Sequence, residues 1–310
     1  MSCRSLIKFA KCNLLQRGRN VCRYFATGGR FVVANSAASK LKYKASFGAH
    51  CRAPHNKSAC EDAYFIWNEN GIAAFGVADG VSGWRHSGID PSLFPNMLMA
   101  NCLKCLQENG GKIDLKELLT CAYSEILQKN QVEAGSSTAC LGILDKANGQ
   151  LQTLNLGDSG FCIFRNGEIL YKSKEQYIDL NVPFQVGVKE IANGKAIPHG
   201  NSTHDAVLHT FDIKNDDLII LGTDGLFDNM YPKDIYAAIS LTSPRDGMDL
   251  NGRSRQLTKE ALARSVELKP GRITPREERL QKYEDALMIP GGNFDDVTAV
   301  VVQIREMPKF

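Results

Sequence analysis

The amino-acid sequence predicts an α+β fold: two antiparallel sheets packed face to face, with helices outside them. Three observations carry this. Strand-length apolar runs recur through the chain, short Asn/Gly-containing links join them in a way that antiparallel pairing permits, and paired helical patterns interrupt the strands.

Past residue 41, strands are expected over 42–48, 63–67 and 72–77. The last two flank Asn68-Glu69-Asn70-Gly71 as a hairpin. Apolar residues then recur with helical period over 95–108 and 115–129, separated by the Gly110-Gly111 break. Strands resume over 138–145, 151–156, 161–165 and 168–173, with turns at Asn148-Gly149 and Asn166-Gly167. The stretch 174–205 reads as irregular, 218–222 as a buried strand, 232–240 and 258–267 as helices, and 297–304 as the final strand. No repeat or low-complexity tract divides the chain. Its 310 residues are 43% hydrophobic, which excludes a disordered or fibrous protein and suffices for one large core.

Charge is unevenly spread. The net +3 conceals a stretch from Met1 to Cys60 with twelve basic residues and no acid, which leaves the remainder 25 of the 37 basic residues, all 34 acids and a net −9. The near balance of the whole argues against a dedicated nucleic-acid binder. Residues 1–25 combine Arg and Lys with Leu6, Ile7, Phe9, Leu14, Leu15 and Val21, the composition of a mitochondrial transit peptide. Arg23-Tyr24-Phe25 resembles a matrix-processing site, so cleavage is expected near Phe25 and the mitochondrial matrix is the expected location. A flexible basic arm is the alternative. Residues 26–41 read as a linker or weak strand, and 42–306 as the folded domain. No run reaches the ~18 apolar residues of a membrane span. Ten cysteines scattered through the chain, with no secretory leader, point away from a disulfide framework and toward a reducing compartment. Cys102-x-x-Cys105 falls in a helical pattern and reads as buried face, and Cys60 as packing.

Carboxylates stand where apolar strands begin or end: Glu61-Asp62, Asp79-Gly80, Asp224-Gly225 and Asp295-Asp296. A strand end is a rigid mount, and an adjacent glycine admits a carbonyl or water. Any one Asp-Gly after a strand can be only a turn. Several converging would form an oxygen cage suited to hard divalent ions, Mg²⁺ or Mn²⁺.

Six motifs in order extend this reading: Glu61-Asp62-Ala63, Val77-Ala78-Asp79-Gly80-Val81-Ser82-Gly83-Trp84, Gly135-Ser136-Ser137-Thr138-Ala139, Asn155-Leu156-Gly157-Asp158-Ser159-Gly160, Gly222-Thr223-Asp224-Gly225-Leu226-Phe227-Asp228 and Asp295-Asp296-Val297-Thr298. Together they resemble the type 2C, metal-dependent protein serine/threonine phosphatases, and the Gly-Trp form of the second motif looks like that family's mitochondrial branch. The resemblance implies a four-layer αββα single catalytic domain, with a central β-sandwich flanked by helix pairs. It also implies two Mn²⁺ or Mg²⁺ ions whose bridging hydroxide attacks the phosphorus of phosphoserine or phosphothreonine. Asp79 matches the bridging carboxylate, Gly80 the carbonyl ligand, Asp224 and Asp295 the ligands of the other ion, and Glu61 and Asp62 the holders of metal-bound water. Asp158 matches an Asp that in some members helps bind a weaker third ion.

Two departures stand out. Lys57 occupies the place of the family's phosphate-gripping Arg, giving charge without a bidentate fork, with Arg52 or Arg85 as alternative phosphate ligands. Val81 replaces a His that could protonate the leaving group, a task left to water or to another His such as His86. Phosphoprotein substrates, no nucleic acid and a monomer are expected. The rival readings are a pseudophosphatase scaffold, which should have lost core carboxylates, and a small-molecule phosphatase on the same frame.

Overall fold

A computed structural model describes residues 30–34, 41–57, 59–240, 249–267, 273–282 and 291–308. The expected leader 1–25 and its cut near Phe25 lie outside the described residues. In chain order the elements begin with β1 (Arg30–Ala34), β2 (Tyr43–Arg52), β3 (Ala63–Glu69), β4 (Ile72–Ala78), α1 (Leu93–Glu108) and α2 (Leu115–Lys129). Next come β5 (Gly135–Ser137), β6 (Ala139–Asp145), β7 (Gln150–Leu156), β8 (Gly160–Arg165) and β9 (Glu168–Lys172). β10 (Tyr177–Asp179), β11 (Val182–Pro183), β12 (Val186–Ala192), β13 (Lys195–Gly200) and β14 (Val207–Asp212) follow. The chain continues with β15 (Leu218–Gly222), α3 (Asp224–Phe227), α4 (Pro232–Ser240), α5 (Leu250–Ser265), α6 (Pro275–Leu280) and β16 (Val297–Glu306).

Two sheets make the centre, with strand orders β1-β3-β4-β6-β7-β14 and β2-β16-β15-β8-β9. Their pairings are antiparallel except that of β1 with β3. The fold is thus the expected α+β sandwich, and the side-chain period of two shows how the layers stack. In β3, Phe65 and Trp67 point into the core shared with α1 and α2, whereas Tyr64 and Ile66 enter the core between the sheets. In β16, Val300, Val302 and Ile304 face the first sheet, while Val297, Ala299 and Val301 face α4 and α5. Burial on both faces is why these strands read as unbroken apolar runs.

Local chemistry sets the boundaries. Asn70 and Gly71 adopt positive φ (50° and 82°), as do Asn166 and Gly167 (53° and 87°), the tight-turn geometry that joins β3 to β4 and β8 to β9. The Asp114 side chain caps α2 by accepting from Glu117 N at 2.9 Å. α1 and α2 then bury Phe94, Leu98, Cys102, Leu118, Ala122 and Ile126 at helical spacing.

The structure departs from or refines the sequence reading in several places, and α3 and α6 match no expected helix. The stretch 174–205 is not irregular: it holds β10 to β13, and β14 follows it. Ile178, Val182, Ile191 and Ile197 there are exposed, so burial never imposed the alternation by which strands are recognised. Part of the linker forms β1, the weak-strand alternative. α5 begins eight residues earlier than expected, its first turn capped by Asp249 accepting from Gly252 N at 2.7 Å. That turn lies against Gly48, where a Cβ would sit 2.0 Å from Leu250 O, so only glycine admits the helix to β2. Finally, two disulfides are present, Cys51–Cys60 and Cys105–Cys121, with Cα separations of 6.8 and 6.6 Å. Cys102 is a free buried thiol, as read, whereas Cys105 and Cys60 have covalent partners.

Phe75 of β4 is fully buried in the inter-sheet core, 6.0 Å from the Phe47 ring and against Gly142 of β6. Phe75→Ala is expected to lower stability by about 3–5 kcal/mol, because the two backbones cannot collapse onto the space left. Urea unfolding measures it, and a loss below about 1 kcal/mol would show that the sheets repack freely.

Candidate functional site

Two Asp-Gly pairs anchor the site, each at the end of a central strand. Asp79 follows β4, where its backbone N–H donates to Thr138 Oγ1 at 3.1 Å and its carbonyl accepts from Thr138 N at 3.1 Å. Thr138 Oγ1 in turn lies 2.7 Å from Ser159 Oγ, so three strand ends share one buried polar joint. Gly80 bridges to Ser137, and a Cβ there would meet Pro91 O at 2.5 Å and Glu61 O at 2.7 Å. The loop beyond is pinned by Trp84, whose Nε1 donates to Ser136 Oγ at 2.6 Å. Trp84 therefore fixes the loop that follows the Asp79-Gly80 pair.

Asp224 opens α3 after β15. Asn293 Nδ2 donates to Asp224 Oδ2 at 2.7 Å, and Asn229 Nδ2 ties the carbonyls of Gly225 (2.7 Å) and Asn293 (2.8 Å) together. Gly225 lies on the segment opening β16: a Cβ would stand 2.0 Å from Asp296 O.

Asp79, Gly80, Asp158, Asp224 and Asp295 all line one cavity of about 300 Å³. Glu61 and Asp62 are buried beside it, only 3% and 2% exposed. Lys57 holds the outer acids together: its Nζ donates to Glu61 (2.8 Å), Asp295 (2.5 Å) and Asp296 (3.0 Å). Burial works against the ammonium charge, but Asp295, Glu61 and Asp296 outweigh it and hold Lys57 above the ordinary lysine range. Arg85 also pairs with Glu61.

Of the inner carboxylates only Asp158 feels a cation, Arg279, and its effect is smaller than that of burial. Desolvation in the cavity, then the charges of Asp62, Asp224, Asp295 and Asp158, push Asp79 well above the usual carboxylate range. Desolvation followed by Asp158, Asp228 and Asp295 does the same to Asp224. Burial, then Asp296, raises Asp62 to about 8, and burial, then Asp228, raises Asp158 to about 7. Asp62 Oδ1, Asp224 Oδ1 and Asp296 Oδ1 are buried without any hydrogen-bond partner. Hard oxygen donors that are buried, crowded and unpartnered fit a divalent cation and little else among common ligands.

Other residues acquire a role only through the tertiary fold. Asp228 is buried and held by Arg279 at 2.6 and 3.1 Å, and Arg279 also donates to Glu175 at 3.0 Å beside β10. Asp296 accepts from Glu61 N at 2.9 Å, making the final acidic pair half ligand candidate and half structural anchor. His86 is exposed on the short 3-10 turn Ser82–Ser87 and is not among the residues lining the cavity, and neither is Arg52.

A family model, Stage II sporulation protein E (SpoIIE), matches residues 92–305. The human "Protein phosphatase PTC7 homolog" is 33% identical over 254 residues, covering 81% of this chain and 82% of that protein. The "5-azacytidine resistance protein azr1" of Schizosaccharomyces pombe is 35% identical over 302 residues, 92% of this chain and 98% of its own. The X-ray structure of the photosystem II phosphatase PBCP superposes with a TM-score of 0.70 at 26% identity, over 85% of this chain and 100% of that one. Fold, acidic cavity and relatives together define a protein phosphatase. The chain belongs to the type 2C protein phosphatase family, and the PTC7 homologues are among its relatives.

A carboxyl whose folded pKa exceeds its unfolded value, about 3.9 for Asp, binds more protons when folded, so stability falls as pH rises through that window. For Asp62 the window runs from about 4 to its folded value of about 8. In chelator, the wild type is expected to lose more thermal stability than Asp62→Asn between pH 5 and pH 8. Parallel melting profiles for the two would show that Asp62 does not carry this strain.

Proposed function

We propose that the chain is a protein serine/threonine phosphatase using two divalent cations, Mn²⁺ or Mg²⁺, held by Asp79, the Gly80 carbonyl, Asp224 and Asp295. Glu61 and Asp62 would sit behind them and Asp158 at the edge of the cavity. One observation supports this above others: carboxylates from four separate strand ends meet around one cavity, and buried oxygens of Asp224 in its wall and of Asp62 and Asp296 behind it have no partner. A solved fold neighbour, the serine/threonine phosphatase PstP, carries two manganese ions; it is 14% identical, with a TM-score of 0.53.

Divalent cations at such a site supply Lewis acidity that makes water acidic near neutral pH and offsets the charge of the phosphoryl oxygens. The chain's own residues do the positioning. Thr138 fixes the backbone of Asp79, Asn293 orients Asp224, and Lys57 neutralises Glu61, Asp295 and Asp296 so that the outer acids do not repel the site apart. Rigid mounts of this kind matter because a phosphoryl group must be met in line. We also infer a mitochondrial matrix location from the acid-free segment 1–25, with the PTC7 likeness in its favour, and phosphoproteins as substrates.

Asp79→Asn and Asp224→Asn are each expected to lower Mn²⁺-dependent hydrolysis of a phosphothreonine peptide beyond the ~100-fold that loss of a supporting residue costs. Wild-type rates unaffected by chelator, or full activity in either variant, would overturn the mechanism. Faster turnover of small phosphate monoesters than of phosphopeptides at equal concentration would favour the small-molecule reading. For the address, residues 1–41 fused to a fluorescent protein should carry it into mitochondria, and a cytosolic reporter would refute it.

A further inference from the structure

Most cations at the site are already committed. Lys57 donates to three carboxylates, Arg85 pairs with Glu61, and Arg279 is shared between Asp228 and Glu175 while stacking 4.9 Å from the Tyr177 ring. Arg276 differs. It lines the cavity, and among the described residues no hydrogen bond or salt bridge engages its guanidinium, although its charge acts on Asp228 and Glu277.

Its backbone, by contrast, is firmly placed. Arg276 N donates to Asp228 O at 3.1 Å. One residue upstream of Pro275, Thr274 caps α6 reciprocally, accepting from Glu277 N at 3.2 Å and donating its own N–H to Glu277 Oε2 at 2.7 Å. Arg279, three residues on and therefore on the same helix face, is locked to Asp228. The stem is held, and among the described residues the head has no hydrogen bond although its charge acts on Asp228 and Glu277, an arrangement suited to meeting something that is not part of the chain. What enters is dianionic: a phosphate monoester must approach walls made by Asp79, Asp158, Asp224, Asp228 and Asp295. A guanidinium offers two parallel N–H donors to two phosphoryl oxygens, whereas the Lys57 ammonium has its donors spent.

We propose that Arg276 is a substrate-binding residue of this phosphatase that grips the non-bridging oxygens of the phosphoryl group, the role the family resemblance assigns to Lys57. The proposal rests on the phosphatase reading above.

The test is steady-state kinetics at saturating Mn²⁺ on a phosphothreonine peptide and on p-nitrophenyl phosphate, with inorganic phosphate as competitive inhibitor. The proteins compared are wild type, Arg276→Ala, Arg276→Gln and Arg276→Lys, each checked for an unaltered thermal melt. Arg276→Ala and Arg276→Gln should raise KM for both substrates and Ki for phosphate by about tenfold, with kcat changed far less, and Arg276→Lys should recover part of the loss. The Gln variant retains the stem's packing, so a defect in Ala alone would mark a structural effect and count against the role. An unchanged Ki for phosphate, or a KM raised for the peptide only, overturns it, the latter by placing the guanidinium on a flanking acidic residue. An inactive wild type would overturn the phosphatase reading and this role with it; an active wild type with unaltered phosphate affinity in the variants overturns the role alone.

Discussion

Everything at the working end of this molecule depends on one electrostatic constraint: acids crowded at the strand ends, several of them without counter-ions. The ring has two tiers. The outer acids are neutralised from within, Glu61, Asp295 and Asp296 by Lys57, and Asp228 and Glu175 by Arg279. The inner ones, Asp79, Asp224, Asp62 and Asp158, are buried among further acids, and only Asp158 feels a cation, Arg279. Taking an unpaired charge out of water costs several kcal/mol per ion, so an inner tier of this kind survives only if the surrounding fold is too rigid to part. Three stacked apolar cores, one between the sheets and one under each helix layer, supply that rigidity.

The same device appears twice where the strands deliver their carboxylates. Gly80 presses against Glu61 O, and Gly225 against Asp296 O, at distances no Cβ could tolerate. Each Asp-Gly pair is thereby docked on the backbone of a neighbouring acidic pair, Asp79-Gly80 on the first motif and Asp224-Gly225 on the last. The glycines permit close approach of two backbones, and that approach sets how near the carboxylates come to one another. Neither glycine has a positive φ, so contact and not backbone conformation is what reserves these positions for glycine.

Much of this was legible in the linear sequence, and the gaps have physical causes. Strands such as β15 and β16 announce themselves because both faces are buried, and Asp79 and Asp224 because a carboxylate at the end of an apolar run is an unusual mount. β10 to β14 do not, since apart from Val186 and Val188 at the start of β12 their Ile and Val residues lie in the open. The disulfides escaped because spacings of 9 and 16 residues say nothing of whether β2 meets the following loop or α1 meets α2 with the right geometry. Arg279 and Asp228, 51 residues apart, are joined only by the tertiary fold, and no local pattern links them.

Lys57 shows how a single departure from a family pattern changes the division of labour. An ammonium has three donors arranged around one atom, and here they point to three carboxylates arriving from the loop before β3 and the segment before β16. A planar guanidinium presents its donors in a fixed fork and would serve one or two such partners well, leaving the third buried acid short. In this chain the position is therefore better described as the internal counter-ion of the acidic ring than as a hand held out to substrate. On the proposal above, the phosphate is held from another wall of the cavity, where α6 places the Arg276 guanidinium.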